Sequence, residues 1–274
     1  MRRVGRFLAR YWVMAVGLAV LAYMAAPVVV VLLLSFNQPA NRSTTFLLDD
    51  GIHWTLNNWT DICGGSETIC PALSTSIQVG LISTLIATVL GTLIAFALVR
   101  HRFFGRGASN VLIFLPMATP EIVMGSSLLA LFVSAGVPTG FGTIVIAHVM
   151  FCISFVVVTV KARLAGMDPR LQEAAMDLYA TPFATFRQVT LPLVMPGIVA
   201  AALLSFSLSF DDYIITTFNS GNVVTFPLFV WGANQRGIPP QVNAIASAMF
   251  LIAFVFVAIG QIRNARRARR AATS

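Results

Sequence analysis

The sequence predicts an all-α polytopic membrane protein with six spanning helices, and three observations carry that prediction. Of its 274 residues, 57% are hydrophobic and only 10% are charged, whereas a soluble domain averages about 45–50% apolar and about 25% charged. Mean hydropathy is +0.84. The apolar residues gather into long blocks rather than a one-sided helical stripe, and each block is of spanning length. A chain this long could fold as one or two soluble domains, but these blocks are built to be solvated by lipid.

A helix crossing roughly 30 Å of hydrocarbon needs about 20 apolar residues and satisfies all its backbone polar groups internally. Six segments meet that demand, at about 12–36, 73–99, 108–133, 140–160, 193–218 and 242–262, with boundaries good to about two to four residues. The first follows Arg2, Arg3, Arg6 and Arg10, a basic start that also opens secretory signal peptides. A signal h-region is only about 7–15 residues long; this block is longer and lacks a small-x-small cleavage site, so it reads as a retained first helix. Pro116 and Pro120 interrupt the third block. Proline inside a span is tolerated where neighbours or water satisfy the freed carbonyls, so that helix is expected to line something.

Orientation follows from the basic residues. All but Arg42 and Arg236 of the 18 Lys and Arg residues fall on one side of the six spans, and Lys and Arg in short loops mark the cytoplasmic side. Both termini and the loop 161–191 are therefore expected on the cytoplasmic side of the membrane. The pI near 10.4 would suggest nucleic-acid binding in a soluble protein. Here the basic residues flank spans, no nucleic acid is expected, and the tail from Arg263 to Arg270 is placed to touch anionic lipid.

On the opposite side, residues 37–71 contain Asp49, Asp50, His53, Trp54, Trp59, Cys63 and Cys70. The two cysteines, bracketing Gly64 and Gly65, either close a small disulfide loop or remain free thiols. A zinc site with His53 lacks a fourth ligand, and neither a metal nor a cofactor is expected. Cys152, inside the fourth span, reads as a small hydrophobe. Residues 219–241, with Pro227, Trp231, Pro239 and Pro240, form the other outer segment.

The segment between spans four and five is the distinctive one, reading KARLAGMDPRLQEAAMDLYATPFATFRQVTLPLVMPGI over 161–198. Asp168 followed by Pro169 is a strong helix start, a carboxylate cap with proline where its missing N–H costs nothing. Leu171, Ala174, Ala175 and Leu178 then share one small apolar face, with Arg170, Glu173 and Asp177 on another. Thr181 and Pro182 repeat the start signal for a second short helix through Phe183, Phe186 and Val189, which Leu191 and Pro192 are expected to end before the fifth span. Phenylalanines on a solvated loop are a liability unless they form a docking surface for a partner.

These residues carry a resemblance. Glu173-Ala174-Ala175-Met176-Asp177-Leu178, continuing to Leu191-Pro192-Leu193 and Pro196-Gly197, resembles the EAA loop of permease subunits of binding-protein-dependent ABC importers of the type I fold. The likeness extends over roughly 70–262. It divides the chain into 1–70 (tail, first helix and outer loop), a transporter core 71–262 with its coupling loop 161–191, and a basic tail 263–274. The resemblance implies that Glu173, Ala174, Ala175, Asp177, Leu178, Tyr179, Phe183 and Phe186 couple the chain to ATPase subunits, two copies being expected. It also implies a sister permease and an extracytoplasmic substrate-binding protein. The family usually has glycine where this chain has Tyr179. Glycine there allows a left-handed turn that costs a non-glycine residue about 1–2 kcal/mol, so either Tyr179 bears that strain or the turn is built differently, its ring packed on the partner.

Within the family, FSLSFDDYIITTFNSG over 206–221, with ARLAGMDP and GIPPQVNAIAS, is similar to the spermidine/putrescine permeases. Other amines or aminophosphonates are the alternative substrates. The residues themselves give a separate reason to expect a cation: ionisable groups inside spans are expensive and are functional by default. The candidates are Glu121 and the pair Asp211 and Asp212, with no Lys or Arg inside a span. Counting about 1.5 Å per residue puts Glu121 near mid-depth and the pair near the outer end, with Tyr213 and Trp231 offering aromatic faces to an amine. The plainer alternatives are that the pair caps a broken helix or contacts the sister subunit, and that Glu121 is protonated and hydrogen-bonded. His148 in the fourth span reads as a satisfied packing residue.

No Walker A loop is present, and H-E-x-x-H and G-x-S-x-G are absent, so no catalytic residue is assigned and ATP hydrolysis is expected of a separate chain. A proton-coupled secondary carrier using Glu121 and the aspartates, or a channel, would leave the loop 161–191 unexplained. Secondary carriers are also built from internal repeats, and none is apparent here.

Overall fold

Helix is the rule along the chain because lipid offers a backbone no hydrogen-bonding partner. The computed structural model describes residues 2–38, 53–64 and 66–273, with side chains described for 11–38, 53–64, 66–235 and 237–262. Arg42, Asp49, Asp50 and Gly65 lie outside the described residues, as do the side chains of Arg236 and of the tail from Arg263. Two compact units emerge, one of residues 1–70 and 230–274 and one of residues 71–229.

In the first unit, α1 (Arg2–Leu34) packs against α12 (Pro240–Thr273), and Ser247 Oγ donates to the Val31 carbonyl at 3.4 Å. None of the apolar window of α1 is buried; it offers its surface to lipid or to another chain. The short α2 (Asn57–Thr60) packs against α12. Buried Asn58 donates from Nδ2 to the carbonyls of Ser35 (3.1 Å) and Asn37 (2.9 Å), and Trp59 stacks on Phe36 with ring centroids 5.5 Å apart. Cys63 and Cys70 are joined in a disulfide, their Cα atoms 5.5 Å apart.

The second unit is organised around α6 (Phe141–Ala165), which is apolar all round and buries 61% of its central window, as expected of a central helix. Against it lie α3 (Ile69–Arg100), α4 (Arg106–Ala118), α5 (Glu121–Ser134), α9 (Leu191–Asp211) and α10 (Ile214–Asn219). Ala147, Phe151, Cys152, Val156 and Val160 of α6 form the core with Ala87, Leu128, Val194 and Ala201. Glycines set the closest approaches. A Cβ on Gly91 would stand 2.7 Å from Val156 Cβ, and one on Gly197 would stand 2.8 Å from Arg163 Cβ. The Arg163 side chain lies over Gly197 and donates from Nε to the Leu193 carbonyl at 3.0 Å, tying the end of α6 to the start of α9.

Among the described residues, five helices, Tyr11–Leu34, Ile69–Arg100, Phe141–Ala165, Pro182–Asp211 and Pro240–Ile262, are long and apolar enough to cross a membrane. The third expected span departs from expectation. It is not one rod over 108–133 but two helices, α4 and α5, bent by 106° at Thr119 and Pro120. Pro120 has no N–H for the carbonyl of Pro116 and forces the residue before it out of the helical region; Thr119 is accordingly extended, with ψ 131°.

The fifth span also differs. It stops at Asp211 instead of reaching 218, and at its start it does not break at Pro192. Beyond α7 (Arg170–Asp177), the short helix α8 (Pro182–Thr185) passes through a π-helix (Phe186–Thr190) directly into α9. Pro192 cannot donate to an α-helical ladder, and the chain widens by one residue so that the Leu191 N–H reaches the Phe186 carbonyl, an i→i−5 bond of the kind found at functional turns. Only α7, therefore, is a separate helix in this loop; the second short helix is the first part of a span.

Candidate functional site

Two sites take shape from these breaks. The first is the loop surface. Asp168 Oδ1 accepts the Arg170 N–H at 2.9 Å, fixing the start of α7. At its end the Tyr179 N–H reaches the Met176 carbonyl (2.9 Å) and the Ala180 N–H the Ala175 carbonyl (3.1 Å), the paired bonds of a Schellman closure. Such a closure needs a left-handed residue, and Tyr179 supplies it with φ 62°, the one non-glycine residue with positive φ among those described. Its ring is 98% exposed, so nothing within the chain offsets the strain. Thr181 Oγ1 caps α8, accepting the Ala184 N–H at 3.2 Å.

Around this turn Leu171, Met176, Leu178 and Phe183 are exposed, as are Glu173, Ala174 and Asp177, while Ala175 is half-buried. Phe186 turns partly inward and meets Phe96 edge-on at 5.5 Å. A run of exposed apolar side chains rimmed by two carboxylates is the form of an interaction surface.

The second site is the break between α9 and α10. The Asp212 carboxylate is buried and caps α10: Oδ2 accepts the Thr216 N–H (2.8 Å) and hydroxyl (2.8 Å), and Oδ1 accepts the Ile215 N–H (3.3 Å). His148, 1% exposed, completes the set. Its Nε2 stands 3.2 Å from Asp212 Oδ2 and 3.0 Å from Thr216 Oγ1, and its Nδ1 2.7 Å from Ser209 Oγ. With the proton on Nε2, the ring donates to Asp212 and Thr216 and accepts from Ser209, which satisfies every member. His148 is thus satisfied, by polar partners rather than by packing alone.

Asp211, one residue earlier, is exposed at the last turn of α9, and Tyr213 is half-buried in the break. Glu121, exposed, begins α5 immediately after the 106° bend, and α5 packs against α10. There Asn219 Nδ2 donates to the Gly125 carbonyl at 3.3 Å, and a Cβ on Gly125 would collide with Phe218 at 2.8 Å. Glu121 thus begins the helix that packs on α10, the helix that follows Asp211 and Asp212. Counting depth by helical rise ignores the bend and the break at which these carboxylates stand. Trp231, exposed on α11 (Phe226–Arg236), belongs to the first compact unit.

Sequence reasoning missed the roles of Ser209, Thr216 and Asn219. The available signal was polar residues within seven positions of Asp212 inside an apolar block, since intramembrane polar groups must find partners. No group of residues able to hold a metal is found among the described residues.

This arrangement of broken spans and an exposed loop defines a multi-pass membrane permease. The sequence profile of the binding-protein-dependent transport system inner membrane component family matches residues 87–271, and the chain belongs to that family. It is 36% identical over 244 residues to the spermidine/putrescine transport system permease protein PotC of Haemophilus influenzae, covering 89% of this chain and 92% of that protein. It is 33% identical over 277 residues to the putrescine transport system permease protein PotI of Escherichia coli, covering 94% and 96%. A solved bacterial alginate ABC transporter, in complex with an alginate pentasaccharide-bound periplasmic protein, shares the fold with a TM-score of 0.62 at 15% identity over 92% of each chain. The chain is a transport subunit of the inner membrane, multi-pass and not an enzyme.

Proposed function

We propose that this chain is one half of the membrane pathway of a polyamine importer, spermidine or putrescine being its cargo. The observation that carries the reading is its 36% identity to a spermidine/putrescine permease over 89% of the chain. The geometry supports it: Asp211 and Glu121 present two exposed carboxylates at neighbouring helix breaks, and a polyamine carries several ammonium groups. Tyr213 lies in the break between α9 and α10, two residues after Asp211, and Trp231 is a further candidate aromatic face for an amine. Asp212 serves the same path from behind by capping α10 and fixing the break.

Both termini and the loop face the cytoplasm in this reading. Glu173, Ala174, Ala175, Asp177, Leu178, Tyr179 and Phe183, with Phe186 at the edge, form the face that seats on ATPase subunits, two per complex. A sister permease completes the pathway and an extracytoplasmic binding protein delivers the cargo. Radiolabelled putrescine and spermidine uptake by the assembled importer, wild type against Asp211→Asn and Glu121→Gln, tests the assignment. Loss of uptake at normal membrane abundance is expected. Wild-type uptake in both variants would remove the carboxylates from the path, and absence of polyamine uptake by the wild type would overturn the cargo.

A further inference from the structure

The loop helix α7 is held to the spans in an unusual way. A cavity of about 480 Å³ lies between the end of α3 and the loop, with Leu93 and Phe96 on one wall and Met176 and Phe186 on the other. One side chain bridges its polar edge. Gln172 Oε1 accepts from Arg100 Nη1 at 2.6 Å, and Gln172 Nε2 donates to Thr190 Oγ1 at 2.7 Å. Arg100 is the last residue of α3. Thr190 closes the π-helix that opens α9, and it is buried, 3% exposed. Among the described residues, Gln172 is the one α7 side chain hydrogen-bonded to another element. Glu173 and Asp177, one and five positions on, make no such bond and remain exposed.

The orientation of this amide is dictated by its partners. Flipping it would set its NH₂ against the guanidinium, donor against donor, and lose the Arg100 bond outright. With Arg100 fixing the oxygen, the nitrogen must address Thr190. The two anchors sit on different spans, so a displacement of α7 pulls on both at once. The anchor on α9 is a π-turn, whose wide i→i−5 bonding lies one residue of register away from an α-helix. Met176, one turn further along α7, borders the open cavity, where motion meets little packing resistance.

We infer that Gln172 is the positioning residue that transmits displacement of α7 jointly to the end of α3 and to the π-turn of α9. The inference rests on the proposed docking of this loop on ATPase subunits and goes beyond it by naming the residue that carries the motion inward. It needs Gln172 and Thr190 to act as one unit: removing either has the same consequence, and removing both adds nothing further.

The test uses the complete importer reconstituted in vesicles with its loaded binding protein. Putrescine uptake and ATP hydrolysis are measured together for Gln172→Leu, Thr190→Val, the double variant and Thr190→Ser. Gln172→Leu and Thr190→Val are each expected to hydrolyse ATP while uptake per ATP falls on the order of tenfold, the worth of about one hydrogen bond. The double variant should match the single ones, and Thr190→Ser, which keeps the hydroxyl, should restore coupling. Membrane abundance and retention of the ATPase subunit report folding and docking independently. Wild-type uptake per ATP in Gln172→Leu overturns the inference, as does an additive loss in the double variant. If the wild-type chain retains no ATPase subunit, the docking reading fails instead, and the two failures are distinguishable.

Discussion

His148 Nε2 lies 3.2 Å from Asp212 Oδ2, both groups buried, joining the middle of α6 to the point where α9 ends and α10 begins. His148 is 1% and Asp212 8% exposed. Their contact holds a helix break in shape, which leaves the neighbouring Asp211 exposed at the end of α9.

The two aspartates should therefore separate by experiment. Asp212→Ala removes the cap of α10 and leaves the His148 Nε2–H without its carboxylate acceptor, and it should destabilise by about 1–3 kcal/mol, the cost of unpaired buried polar groups. Asp212→Asn keeps an acceptor for the helix N–H groups, as asparagine caps about as well as aspartate, and should retain most of the stability. Asp211→Asn should leave thermal stability unchanged and lower polyamine uptake roughly 10- to 100-fold, the equivalent of about 1.5–3 kcal/mol for a hydrogen bond to a charged group. Thermal unfolding in detergent with uptake in vesicles decides the matter; equal behaviour of Asp211→Asn and Asp212→Ala in both assays would refute the division of roles.

The strained turn makes a second prediction. Replacing Tyr179 by glycine relieves a left-handed conformation worth about 1–2 kcal/mol, so the isolated chain should be no less stable. The exposed ring is lost at the same time. If it meets the ATPase subunit, Tyr179→Gly should weaken retention of that subunit several-fold during purification, whereas undiminished retention would reduce Tyr179 to a tolerated strain.

Charge reversal on the loop addresses the same face. Glu173→Lys and Asp177→Lys place cations where two exposed carboxylates stand; both should insert normally and lose uptake. Normal uptake in both would exclude this face as the docking surface.

Close packing of α3 on α6 is checked by Gly91→Ala. The new Cβ would stand 2.7 Å from Val156 Cβ and 3.2 Å from the Ile153 carbonyl, so a backbone must move, at about 1–3 kcal/mol. Gly107→Ala on α4, with nothing within 4 Å of the added methyl, should leave stability unchanged or slightly raised. A melting temperature for Gly91→Ala equal to that of the wild type would contradict the packing.

Topology is tested by reporter fusions. Activity of a cytoplasmic reporter at Ser274 and none at Asp61 is expected from the distribution of Lys and Arg. Cytoplasmic activity at Asp61 would invert the chain.

The sequence by itself determined that the chain is helical and lives in lipid, because hydropathy summed over about 20 residues is a local quantity. It also determined where α7 starts and where α8 is capped, since Asp168 and Thr181 act on N–H groups two or three residues away. It flagged Tyr179 as the strained position, because a left-handed turn is likewise a local demand. What only the tertiary structure decided depends on partners far along the chain: His148 with Asp212, 64 positions apart, Arg100 with Gln172, 72 apart, and Asn219 with Gly125, 94 apart. Helical rise cannot place Glu121 relative to the aspartates, since a 106° bend at Pro120 and a break after Asp211 redirect both helices. A proline in the sequence marks where a helix can yield; the packing of α5 on α10 and of α9 on α6 decides the direction in which it does.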